Sequence, residues 1–164
     1  MMGLWWEEIG NTVRQEFSDL TDMAGVTRIT LRLLIAAILG GILGFEREQK
    51  GKAAGIRTHM LVALGAALFV LIPQQSGVTD ADLTRVLQGL VAGVGFLGAG
   101  TIIKGSGEEE VKGLTTAAGI WLTAAIGVAA GTGREATAVL STLLALVILY
   151  TVPTIARRFD NREN

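Results

Sequence analysis

The residues able to do chemistry are crowded into one stretch, Phe45 to His59. It holds Glu46, Arg47, Glu48, Lys50, Lys52, Arg57, Thr58 and the chain's single histidine, His59. Apolar runs flank it on both sides, so it reads as a charged turn at one face of a bilayer. Arg57 and His59 lie so close to the second run that they are expected to enter the membrane with it. Ionisable groups at that depth are costly and are functional candidates by default. A neutral imidazole ligates transition metals or relays protons, but one histidine in a chain without cysteine does not make a zinc set. A hard dication such as Mg²⁺ takes oxygen ligands and keeps several waters. Glu46, Glu48, Thr58, Thr101, Thr115 and Thr116 supply oxygens; the plainer alternative is that each threonine bonds a carbonyl of its own helix. Glu46 could also pair with Arg57 across the hairpin, because an unpaired charge at membrane depth is costly.

The elements that position these residues follow from composition and hydropathy. The chain has 164 residues, 50% of them hydrophobic, with 22 glycines, 2 prolines and 18% charged residues. Its apolar residues come in long blocks rather than amphipathic periods, the pattern of close-packed membrane helices. A net charge of −1 argues against a nucleic-acid surface, so no nucleic-acid partner is expected. Without cysteine there is no disulfide and no thiol nucleophile. Residues 1–8 lack the basic start and small-residue cleavage site of a signal peptide, so the spans themselves would direct insertion.

Residues 1–25 read as an amphipathic helix lying in the membrane interface, with Trp5, Ile9, Val13 and Phe17 at i+4 spacing. A transmembrane domain follows at 26–156 and a cytosolic tail at 157–164. A span needs about 20 apolar residues, and blocks at 26–45, 56–72, 83–103, 114–130 and 136–155 meet that length approximately. The expected fold is therefore all-α, a polytopic bundle of about five transmembrane helices. Pro73 is expected to stop the second span and Pro153 to kink the end of the last. Arg47, Lys50, Lys52 and Arg57 make the first inner turn basic, Lys104 and Lys112 flank another, and Arg157, Arg158 and Arg162 make the tail basic. The positive-inside rule then sets the N-terminus outside and the C-terminus in the cytoplasm. Arg32, inside the first span, either snorkels to the outer headgroups or pairs with a buried partner.

Helices in lipid are held by close backbone approach, so small residues mark contact lines. Gly40 and Gly44 follow Ala36 at i+4 spacing; Gly89, Gly93 and Gly98 lie in the third span, Gly119 and Gly127 in the fourth. The third span is richest, with Gly95 and Gly100 as well, and is expected to break or to cross a neighbour closely. Its Gly93-Val94-Gly95-Phe96-Leu97-Gly98 fits a dinucleotide-binding spacing but lacks the strand and βαβ setting that motif needs. Glu108, Glu109 and Glu110 form an acidic run in a cytoplasmic loop, either solvated or docking a basic partner. No nucleophile and base come together in the pattern, so the chain is not expected to be an enzyme.

Gly40-Gly41-Ile42-Leu43-Gly44-Phe45-Glu46-Arg47-Glu48 and Ala54-Gly55-Ile56-Arg57-Thr58-His59 resemble the inner hairpin of the MgtC/SapB membrane proteins. Gly93 to Ile102, and Gly113-Leu114-Thr115-Thr116-Ala117-Ala118-Gly119-Ile120-Trp121, resemble that family's two other signatures in the same order. The resemblance implies a bacterial inner-membrane protein of magnesium homeostasis, either transporting Mg²⁺ or regulating another membrane transporter or ATPase. It carries Glu46, Arg47, Arg57, Thr58 and His59 over from the hairpin motif and Thr115, Thr116 and Trp121 from the third. Longer members add a soluble C-terminal domain resembling ACT modules; a chain ending at Asn164 is expected to carry the membrane part alone. No cofactor is expected, with Mg²⁺ entering as ligand or substrate. The expected partners are membrane lipid, a second copy in a homodimer or higher homo-oligomer, and another membrane protein.

Overall fold

Apolar blocks with few breakers fold as single helices, because in a dry environment each backbone group has only its own helix to bond. The computed structural model describes residues 2–18, 22–104 and 111–160, the side chains of 2–4, 103–104 and 154–160 excepted. In order the elements are α1 (Met2–Glu16), α2 (Met23–Gln49), α3 (Ile56–Gln75), α4 (Asp80–Ala99), β1 (Ile103–Lys104), β2 (Val111–Lys112), α5 (Leu114–Gly131) and α6 (Glu135–Asp160). The two short strands pair antiparallel, Ile103 opposite Lys112 and Lys104 opposite Val111. The protein is a polytopic, all-α membrane protein. The acidic run Glu108 to Glu110 and the tail residue Arg162 lie outside the described residues, and of Arg157 and Arg158 only the backbone is described.

The chain divides into two units, residues 1–31 and 32–164. In the first, α1 exposes Trp5, Trp6, Ile9 and Val13, with Phe17 just beyond its end. Asp22 opens α2, its carboxylate accepting from the backbone N–H groups of Ala24 (3.3 Å) and Gly25 (3.0 Å). That is the role an aspartate takes before a first helical turn.

Among the described residues, four helices are long and apolar enough to cross a membrane: Met23–Gln49, Ile56–Gln75, Leu114–Gly131 and Glu135–Pro153. The expected count was five. The difference is α4, whose first two turns carry Asp80, Asp82 and Arg85. It also ends at Ala99 and not at 103, as Gly100 caps it and the Thr101 hydroxyl turns back to donate to the Gly98 carbonyl at 2.8 Å. Pro73 does not stop its helix at 72 as expected. Pro73 sits inside the last turn of α3, and α6 continues past Pro153 to Asp160. Pro73 stands two residues before the end of α3, where the loss of one backbone bond is tolerated.

The second unit is built around α3. Gly40 and Gly44 of α2 approach it from one side, where an added Cβ would lie 2.6 Å from the His59 carbonyl and 2.6 Å from the Ile56 Cα. Gly127 and Gly131 of α5 approach from another, against the carbonyls of Ala63 and Ala67. Residue numbers rise together in the α3 and α5 contacts and oppositely in those of α2, so α3 is parallel to α5 and antiparallel to α2. Alanines fill the seams: Ala36, Ala63, Ala67, Ala130, Ala138 and Ala145 are buried with Leu39, Leu43 and Ile126. The glycines of α4 behave differently. Gly89, Gly93 and Gly95 have nothing within 4 Å of an added Cβ, Gly98 only touches Ala117 at 3.5 Å, and the helix runs unbroken. The expected packing role at Gly89 and Gly93, and the expected break, are therefore not found among the described residues.

Arg32 pairs rather than snorkels. Its Nη1 donates to the Gly131 carbonyl (3.1 Å), and its Nε lies 3.8 Å from the Glu135 carboxylate. It thus answers an orphan carbonyl at the end of α5 and the acid that opens α6. Gly133, at φ +78°, makes the turn, with its N–H on the Ala130 carbonyl and that of Arg134 on the Ala129 carbonyl. This is a left-handed cap that favours glycine. We expect Arg32→Gln to cost about 1 kcal/mol, since the pair is partly exposed. Gly133→Ala should cost at least as much, because its methyl would meet the Arg32 guanidinium; thermal unfolding in detergent measures both.

A buried charged cluster at the start of α3

Gly51 ends α2 at φ +62°, with its N–H on the Glu48 carbonyl and that of Lys52 on the Arg47 carbonyl. The chain then turns over Ala54, which is buried, and re-enters as α3. Gly55, the N-cap of α3, has no side chain to cap with, and Glu48 substitutes for it by accepting from the Ile56 N–H at 2.9 Å. The charged hairpin is therefore partly a device for starting α3 flush against α2.

What it buries is unusual. Glu46 is 2% exposed, Arg47 4% and His59 0%. Neighbours in sequence do not face each other on a helix, yet the Arg47 Nε reaches back and donates to the Glu46 carboxylate. Lys50 completes the group from the rim, its Nζ 4.0 Å from the other Glu46 oxygen and 5.4 Å above the ring centre of Tyr150 on α6. That second Glu46 oxygen, Oε1, has no hydrogen-bond partner. The expected pair between Glu46 and Arg57 is not the one formed.

His59 lies on the face of α3 turned toward α5. Its Nδ1 is 3.0 Å from the Gly55 carbonyl, which can only accept, so Nδ1 is the protonated nitrogen. Its Nε2 is buried without a partner, and an added Cβ at Gly119 would lie 3.6 Å from it. Arg47 and His59 share a cavity of about 150 Å³ with Leu43, Thr115, Gly119, Leu122 and three α6 residues, Ala145, Ile148 and Leu149.

The site residues expected from sequence are thus split by the helix. Glu46, Arg47 and His59 come together, with Thr115 at the cavity wall. Arg57 and Thr58 are exposed on another face of α3, in a groove with Phe96, Leu97, Gly100 and Thr101 of the α4 end. Thr116 is buried in α5, and Trp121, half exposed, lines a cleft between α5 and α4. The buried Thr123 and Thr142 do what threonines in apolar helices ordinarily do, donating to the Gly119 and Ala138 carbonyls. The α6 wall was missed. Its signal was present as Ala138, Thr142 and Ala145, small residues at helical spacing in the last span, all buried. Among the described residues, no three of His, Cys, Asp and Glu gather where they could hold a metal ion.

Comparison with known proteins bears on the whole of this region. The model of the MgtC family matches residues 33–158. A Synechococcus elongatus protein named "Protein SrpB" is 43% identical over 74% of this chain and 72% of its own length. An Escherichia coli K12 protein named "Putative magnesium transporter YhiD" is 38% identical over 81% of this chain and 64% of its own. "Protein MgtC" of Brucella abortus is 45% identical over 69% of this chain, which spans 46% of that relative. No solved structure matches.

Proposed function

The chain belongs to the MgtC family, and on that footing we propose that it is a bacterial inner-membrane protein of magnesium homeostasis that moves Mg²⁺. The observation carrying this reading is the 38% identity, across 81% of the chain, to the Escherichia coli relative with the magnesium-transporter name quoted above. The fold supports a five-crossing topology. α3 and α5 run parallel, so the segment between them must return across the same layer. In this reading α4 does so, its Gly98 lying against Ala117 in the first turn of α5. The basic hairpin Arg47, Lys50, Lys52 and Arg57 then faces the cytoplasm, the N-terminus lies outside with α1 in the interface, and the C-terminus is cytoplasmic. So small a set of spans encloses little space of its own, and a homodimer would offer a path between protomers. In liposomes loaded with a Mg²⁺-sensitive dye, the purified chain should raise Mg²⁺ entry above empty vesicles. No rise, alongside a working transporter, would end the transport reading.

A specific observation favours a second reading, in which the protein regulates another membrane transporter or ATPase without moving ions. The one buried carboxylate of the cluster, Glu46, is already answered by two cations, Arg47 and Lys50. A site of that sign repels a dication. Absence of flux together with native-membrane crosslinks to a second protein would establish this reading over the first.

A further inference from the structure

The cavity beside His59 is built for a ligand head that both accepts and donates a hydrogen bond. With its proton on Nδ1 and engaged by Gly55, the neutral ring presents a lone pair at Nε2 that nothing among the described residues answers. Arg47, on the same cavity, has only donors, and one of them is spent on Glu46. Beyond this polar end the walls are hydrocarbon: Leu43, Leu122, Ala145, Ile148 and Leu149. Ile148 is 58% exposed, so the slot opens along the apolar outer face of α6.

We propose that this cavity binds a single-chain carboxylic acid, its carboxyl group between Arg47 and His59 and its tail leaving along α6. The carboxyl carbonyl accepts from the Arg47 guanidinium while the carboxyl O–H donates to Nε2. Shifting that proton onto Nε2 gives a carboxylate and an imidazolium with the same two hydrogen bonds and the same total of protons. A phosphatidylcholine headgroup or an alkyl ester has no proton to give Nε2, so neither satisfies the site. The volume, about 150 Å³, equals that of an engineered apolar cavity that holds benzene. It therefore encloses the head and the first few methylenes. Nothing in this depends on whether the protein moves Mg²⁺, and its test reads binding alone.

The test uses the full chain in phosphatidylcholine nanodiscs with dodecanoic acid carrying a mid-chain diazirine. After illumination, adducts should map to the α5 and α6 walls. Unlabelled dodecanoic acid should abolish them, and its methyl ester should not. His59→Phe keeps an aromatic ring and removes Nε2; it should lower the adduct yield about tenfold, as loss of one hydrogen bond to a charged partner does. Gly119→Ala decides the matter if that variant does not fold. Its methyl would stand 3.6 Å from Nε2 with nothing else within 4 Å, so the helix is undisturbed while the space beside the lone pair narrows, and the yield should fall likewise. Adducts scattered over all helices, equal competition by ester and acid, or an unchanged yield in Gly119→Ala would each overturn the proposal.

Discussion

Gly127→Leu should abolish accumulation of the protein in the membrane, and even Gly127→Ala should cost about 3 kcal/mol, the upper part of the usual range for overpacking. The reason is what stands opposite. A Cβ at Gly127 would fall on the Ala63 carbonyl, and one at Gly131 would lie 2.5 Å from the Ala67 carbonyl. These obstacles are backbone, fixed by the hydrogen bonds of α3, and cannot rotate away as a side chain would. On its other side α3 is wedged by Gly40 and Gly44. Relief in either direction therefore disturbs a second seam, since Ala63 and Ala67 have no exposed surface to move into. Gly93→Ala is the internal control. Nothing lies within 4 Å of its Cβ, and alanine raises helix propensity by up to about 1 kcal/mol in water. It should be neutral or mildly stabilising. Membrane yield and thermal unfolding of both variants decide; equal behaviour would contradict the packing described.

Removing one member of the Glu46 and Arg47 pair should be nearly as damaging. Breaking a buried ion pair on one side costs about 3–5 kcal/mol, because the survivor is left charged in an apolar place. Glu46→Gln strands Arg47, and Arg47→Met strands Glu46, whose Oε1 already lacks a hydrogen-bond partner. Lys50, 44% exposed, is placed to offset part of the second loss. Glu46→Gln should thus be the worse of the two. The double variant should recover much of the stability, since a paired apolar or neutral replacement leaves no stranded charge. A double-mutant cycle by thermal unfolding measures the coupling. Additive losses would mean that the two side chains do not depend on each other.

Much of this was legible in the residues. Long apolar blocks could fold only as helices, and the i+4 glycines of α2 and α5 mark where backbones touch. The hairpin from Phe45 to His59 stood out because its charges interrupt hydrocarbon. Four things were hidden for physical reasons. Which face of α3 each residue of Arg57, Thr58 and His59 takes is set by 100° steps around a helix, so neighbours in sequence part company; only His59 turns inward. The pairing of Arg47 with its own neighbour Glu46 depends on side-chain rotamers that spacing rules exclude. In α4, glycine content alone could not separate a tight seam from an open face, because the two differ only in what lies opposite. Arg32 was legible as costly but not as a cap, since its partners Gly131 and Glu135 lie about a hundred positions away and share no pattern with it.

The burial of His59 between α2, α3 and α5 is the structural claim on which the site rests, and the chain's single histidine makes it measurable without substitution. Exchange of the imidazole C2 hydrogen in deuterated water, followed by mass spectrometry on the untagged protein in nanodiscs, reads how freely water reaches that ring. The rate should be at least about tenfold slower than in the denatured chain, as protection in a closed core requires. A native rate equal to the denatured one would show the ring open to water, and the buried cluster would not exist.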